Sequence, residues 1–97
     1  MSDRGPAPHV VRAYGEIDLD TAPRLRRDLS RALAEHRDVV LDLSGVTFMD
    51  CSGLGVLVDA RNQADRQGSR LLLRGVGRPV ARLLKLTGLT GHLAPTP

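Results

Sequence analysis

VVLDLSGVTFMDCSGLGVL, residues Val39 to Leu57, changes its period partway along. Its first part, Val39-Val40-Leu41-Asp42-Leu43, is a short, nearly continuous apolar run, as in a strand covered on both faces. Ser44-Gly45 breaks that run, and Val46 to Met49 lead into Asp50-Cys51-Ser52-Gly53. The spacing then predicts a helix from about Ser52 to Gln67, with Leu54, Leu57, Val58 and Ala64 inward. Gly68 stops it. A strand that passes through a loop of small residues straight into a helix is the start of a βαβ unit.

The same alternation appears on either side. Upstream, Val10 to Tyr14 is β-branched and aromatic enough for a strand, and Gly15 closes it. EIDLDTAPRLRRDLSRALAEH then turns helical, with Ala22, Leu25, Leu29, Ala32 and Leu33 on one face. Asp20 or Thr21 can cap that helix, and Pro23 suits a first turn, where no donor is wasted. Downstream, Arg70 to Arg74 is a third strand and Gly75-Val76-Gly77 a turn. Pro79 opens a third helix with Val80, Leu83, Leu84 and Leu86 inward, and Gly88 ends it. Strand–helix repeated three times predicts an α/β fold, and right-handed crossovers make the connected strands parallel.

Ninety-seven residues make one domain, with no room for a second core. No apolar run approaches the roughly 18–20 residues of a membrane span, and the start MSDRGPAPH lacks the apolar stretch of a signal peptide. A cytoplasmic protein without a membrane partner is expected. Cys51 is the single cysteine, which excludes an internal disulfide framework and a Cys-rich zinc site. The acids stop at Asp65, while Arg66, Arg70, Arg74, Arg78, Arg82 and Lys85 follow. A basic third of this kind can serve a nucleic-acid-binding module. Single-strand binders, however, stack bases on aromatics, and only Tyr14 and Phe48 are on offer. These cations read as solvated ends of helices and strands, and no nucleic-acid partner is expected.

Three chemistries could use Asp50-Cys51-Ser52-Gly53 at the mouth of a helix. A hydrolytic nucleophile needs a base and an orienting group. The first glycine of a G-x-S-x-G elbow is missing, and His9, His36 and His92 lie elsewhere in the chain. Cys51 alone reads as a small buried filler, although a helix N-terminus leaves redox sensitivity open. A phosphate cradle would extend Gly53-x-Gly55, but position 58 is Val and no Gly-Lys-Ser/Thr follows. The third chemistry is a hydroxyl presented to another protein. Ser52 by itself would be an ordinary N-cap. Small neighbours at Cys51, Gly53 and Gly55 let a partner's active site approach. The helix end also tolerates a phosphate, which adds about −1.5 to −2 charge.

GEIDLDTAPRLRRDL, VVLDLSGVTFMDCSGLGVLVDARNQADRQGSRLLLRGV and PVARLLKLTGL together resemble the STAS domain of bacterial anti-sigma factor antagonists. The match runs from about Val10 to Leu93, in the family's order. The resemblance implies a regulator that is not itself an enzyme and carries no cofactor or metal. Its unphosphorylated form would bind an anti-sigma factor, a serine kinase of the GHKL ATPase type, and release a sigma factor for transcription. ATP and magnesium would belong to the kinase. The kinase would phosphorylate the residue directly before glycine in the family's Asp-Ser-Ser/Thr-Gly motif, which is Ser52 here, and so end binding. A separate serine phosphatase would restore it. Cys51 takes the place of the commoner first serine and leaves the acceptor in place.

The resemblance also implies a partner-binding set of Asp18, Asp20, Thr21, Asp50, Cys51, Ser52, Gly53, Leu54 and Gly55. For Asp20 and Thr21 the other reading is simple helix capping. Asp50 has two readings, orienting the loop or helping position the kinase's catalytic groups. Within the family, a scaffold domain in a stressosome-like complex is the alternative role. The expected architecture is a small mixed, mostly parallel sheet packed by helices, shortened at both ends relative to the family. Residues 1–9 and 94–97 would be flexible and 10–93 the domain. An uncovered sheet edge invites pairing with another chain, so a homodimer through that edge is a further expectation.

Overall fold

The computed structural model describes residues 8–87, which alternate strand and helix three times. The elements are β1 (His9–Ile17), α1 (Ala22–Glu35), β2 (Asp38–Met49), α2 (Cys51–Gln67), β3 (Arg70–Arg74) and α3 (Arg78–Thr87). β1, β2 and β3 are neighbours in that order, and both pairings are parallel. The α/β alternation expected from the period changes is therefore the observed one. Gly88 and the LTGHLAPTP segment fall in 88–97, outside the described residues.

Two strands are longer than local signals predict. Gly15 does not close β1, and Ser44-Gly45 does not break β2. The two strands pair along their whole lengths, from His9 opposite Val39 to Ile17 opposite Met49. The ladder absorbs the glycines as register shifts between Arg12 and Tyr14 and between Gly15 and Glu16. Gly45 marks a close approach instead of a stop: a Cβ there would lie 2.9 Å from Cδ1 of the Tyr14 ring.

The core lies between one face of the sheet and the helices. Val11, Ala13, Val39, Leu41, Leu43, Leu71 and Leu73 are buried on the strands, and all five expected residues of α1 are buried opposite them. Val40 is also buried but stands outside that cluster, on the other face, as the apolar run Val39–Leu43 requires. The inner face of α2 is Gly53, Val56, Leu57, Ala60 and Ala64. This corrects the expected set: Leu54 and Val58 are only partly buried and pack at the cluster's margin. Leu86 is a second correction, being 78% exposed. It stands two residues past buried Leu84, more than half a turn round α3.

Charge crosses the sheet in register. Arg12, Asp42 and Arg74 are opposite one another on the three strands. Asp42 accepts hydrogen bonds from the Ser44 N–H at 3.0 Å, the Ser44 hydroxyl at 2.7 Å and Arg74 Nη2 at 3.3 Å. Arg12 Nε is 3.7 Å away. The Ser44 backbone bond is the largest influence, followed by the Ser44 hydroxyl, and Arg74 adds to both, holding the Asp42 carboxyl at about 2. An unfolded aspartate titrates near 3.9, so between about pH 4 and pH 2 the unfolded chain takes up a proton that the folded chain refuses. Stability contributed by Asp42 is present above that window and lost as pH falls through it. Asp42→Asn is expected to be less stable at neutral pH and to lose less between pH 4 and pH 2. Parallel acid-unfolding curves for the two chains would refute this.

Candidate functional site

β1 and β2 end side by side at Ile17 and Met49, and α2 begins two residues later. The Asp50 N–H donates to the Ile17 carbonyl at 3.2 Å, which ties the entrance of α2 to the tip of β1. Asp50 has extended backbone angles, and its Oδ1 accepts the Ser52 N–H at 2.8 Å. Asp50 is therefore the N-cap, and the helix starts at Cys51. The ordinary reading of Ser52 as cap is corrected. Ser52 sits inside the first turn, half-buried, and among the described residues its Oγ makes no hydrogen bond. A serine relieved of capping keeps its hydroxyl available for chemistry.

The loop between β1 and α1 is held by Asp18. Its Oδ1 accepts the N–H groups of Asp20 at 3.0 Å and Thr21 at 3.2 Å. Thr21 occupies the cap position of α1 but makes no side-chain cap. Its hydroxyl donates to the Glu16 carbonyl at 2.8 Å and accepts the Asp18 N–H at 2.9 Å. Thus Asp18 and Thr21 fasten the loop to the end of β1, while Asp20 is exposed. The capping role expected of Asp20 or Thr21 falls to neither side chain. At the tip of this loop Leu19 is 78% exposed. Sequence reasoning did not single it out, although a leucine between two aspartates in a turn is itself a signal.

Leu19, Ala22, Pro23 and Arg26 from this side, with Cys51, Ser52 and Gly55 of α2, line one shallow groove of ≈ 260 Å³. The two glycines divide the work. Gly53 faces the core, where a Cβ would lie 2.6 Å from Met49 Cγ and 2.8 Å from Ile17 Cγ2. Gly55 faces the groove, with nothing within 4 Å of the same position. Leu54 packs against the core margin. Cys51 is exposed, not the buried filler its residue type suggests. Arg26 reaches across to pair with Asp59 of α2. His9 and His36 stack on each other, ring centroids 4.2 Å apart, at the far end of β1 from Ile17. His92 lies outside the described residues. Within those residues, no group of three His, Cys, Asp or Glu could hold a metal, and no helix is long and apolar enough to cross a membrane.

A parallel three-stranded sheet with a helix starting at its carboxyl edge is the frame of this α/β domain, and the family model for the STAS domain matches residues 3–96. The chain belongs to the STAS domain family. It is similar to the anti-sigma-B factor antagonist of Bacillus subtilis (strain 168), 37% identical over 79 residues covering 81% of this chain and 72% of that protein. It is similar also to the anti-sigma F factor antagonist of Paenibacillus polymyxa, 34% identical over 82 residues, covering 82% of this chain and 70% of that one. Among solved structures, an anti-sigma factor antagonist from Mycobacterium paratuberculosis superposes with a TM-score of 0.78 at 30% identity, covering 91% of this chain and 75% of that one.

Proposed function

We propose that the chain is an anti-sigma factor antagonist gated by phosphorylation of Ser52. Its unphosphorylated form binds an anti-sigma serine kinase of the GHKL type in the cytoplasm and frees a sigma factor; a serine phosphatase resets it. The observation that carries this reading is the division of labour at the helix start: Asp50 caps, and among the described residues the Ser52 hydroxyl is left unbonded in an open groove. The names of the relatives support the same role.

In the transfer, Ser52 Oγ attacks the γ-phosphorus of the kinase's ATP. The Oγ–P bond forms, the bond to the β-phosphate oxygen breaks, ADP leaves, and the hydroxyl proton passes to a base of the kinase. No residue of this chain acts as a catalyst. The product carries about −1.5 to −2 extra charge at a helix N-terminus that stabilises it, so the domain stays folded. Within an interface built around that groove the same charge costs several kcal/mol if it meets acidic or desolvating surface of the partner. Asp20, Cys51, Ser52 and Gly55 form the contact surface in this reading. Asp18, Thr21, Asp50, Gly53 and Leu54 keep that surface in shape.

Ser52→Ala is expected to take up no label from kinase and radiolabelled ATP, and to hold the kinase in a pull-down whether or not ATP is present. The wild-type chain is expected to lose affinity about tenfold or more once phosphorylated. Label on Thr21, Ser44 or Thr47, with Ser52 untouched, would sink the assignment.

A further inference from the structure

We propose that Arg26 is a two-position latch: it pairs with Asp59 in the unmodified chain and crosses Gly55 to bind the phosphate once Ser52 is phosphorylated. The inference rests on Ser52 being the acceptor, and it adds what the rest of the molecule does with the phosphate.

Ser52, Gly55 and Asp59 are spaced i, i+3 and i+7, which sets them in one stripe along α2. Arg26 stands opposite that stripe on α1. It lines the groove that holds Ser52 and Gly55, and it lines the adjoining cleft that holds Asp59 and Val56. Seven residues of helix separate Ser52 and Asp59 by about 10 Å, and Arg26 lines the cavity at each of the two ends. Gly55 is the residue its guanidinium would have to pass. With nothing within 4 Å of a Cβ position there, the path is clear.

The competition favours the phosphate. Arg26 and Asp59 are each about half exposed, and ion pairs so exposed are weak. A phosphoserine offers about twice the charge of a carboxylate and three acceptor oxygens, and a guanidinium binds two of them at once. Arg26 is the cation among the groove's lining residues. The first-turn N–H groups of α2 add to the attraction. Crossing leaves Asp59 without its partner, so one modification changes the charge at both ends of the stripe. The phosphate is partly neutralised, and a bare carboxylate appears two turns along the helix.

The test uses the full chain with phosphoserine incorporated at position 52 during translation, so that no kinase is involved. The second ionisation of the phosphate is followed by phosphorus NMR against pH. In the chain with Arg26 it is expected about 0.5 pH unit or more below its value in Arg26→Gln, because a bound cation favours the dianion. Asp59→Asn, which removes the competitor, is expected to lie at or below the unsubstituted chain. The Arg26 Nε–H resonance of the unsubstituted chain is expected to shift on phosphorylation, a readout that needs no variant to fold. Coincident titrations with and without Arg26, an unmoved Nε–H signal, or an Asp59→Asn midpoint matching Arg26→Gln would each overturn the latch. The acceptor assignment fails separately, if a kinase labels another residue, and that result leaves the phosphorus titration standing.

Discussion

A Gly75→Ala chain is expected to unfold at clearly lower urea concentration than a Gly68→Ala chain, although both glycines adopt the same left-handed backbone. Their φ angles are 70° and 71°. Either alanine therefore bears roughly 1–2 kcal/mol of backbone strain. At Gly68, which ends α2, that is the whole cost, since nothing lies within 4 Å of the added carbon. At Gly75 the carbon would lie 2.7 Å from Ser44 Cβ, 2.8 Å from the Ser44 nitrogen and 3.0 Å from its Cα. Backbone in the central strand cannot swing aside as a side-chain tip can. The Ser44 N–H and hydroxyl also hold Asp42, so displacing Ser44 loosens the charge row across the sheet. Crowding of this kind adds about 1–3 kcal/mol, against a total stability of about 5–15 kcal/mol for a domain of this kind. A gap of about 1 M urea between the two midpoints is expected. Equal midpoints would mean that β2 yields at Ser44.

Leu57→Ala is expected to destabilise by about 2–5 kcal/mol, and Leu54→Ala by about half as much. Leu57 is 0% exposed at the centre of the face that α2 turns to the sheet. Leu54 lies at the margin of the same cluster. Truncating the first leaves a cavity bounded by residues that already touch one another, whereas the second site can fill with water. Chemical denaturation followed by circular dichroism reads both. If Leu54→Ala cost as much as Leu57→Ala, the inner face of α2 would be centred as its sequence period suggests and not on Val56 and Leu57.

That comparison bears on what the sequence discloses. The change of period inside Val39–Leu57 is enough for the α/β fold, and Arg70–Arg74 was predictable to the residue because its apolar run has sharp polar ends. The lengths of β1 and β2 were not legible. Gly15 and Ser44-Gly45 are genuine local breakers, and only the pairing of two distant segments overrides them. Ser52 as the proposed acceptor rests on the family's motif, and its unbonded hydroxyl is a separate matter. The release of Ser52 from capping was not legible, because Asp50 and Ser52 are both good cap residues. The choice between them is made by the Ile17 carbonyl, which holds the Asp50 N–H. Likewise Gly53 and Gly55 look alike in sequence, and the turn of the helix alone sends one inward and the other out.

The Asp50 N–H bond to Ile17 joins two segments that are 33 positions apart in the chain. An amide shared in this way exchanges its hydrogen with solvent only when the tip of β1 and the start of α2 separate. Its exchange rate is thus one clock for the whole surface around Ser52: the Asp18–Thr21 loop on one side and the Cys51–Gly55 turn on the other. A partner that clasps both sides slows that clock. A partner that touches only one leaves it running.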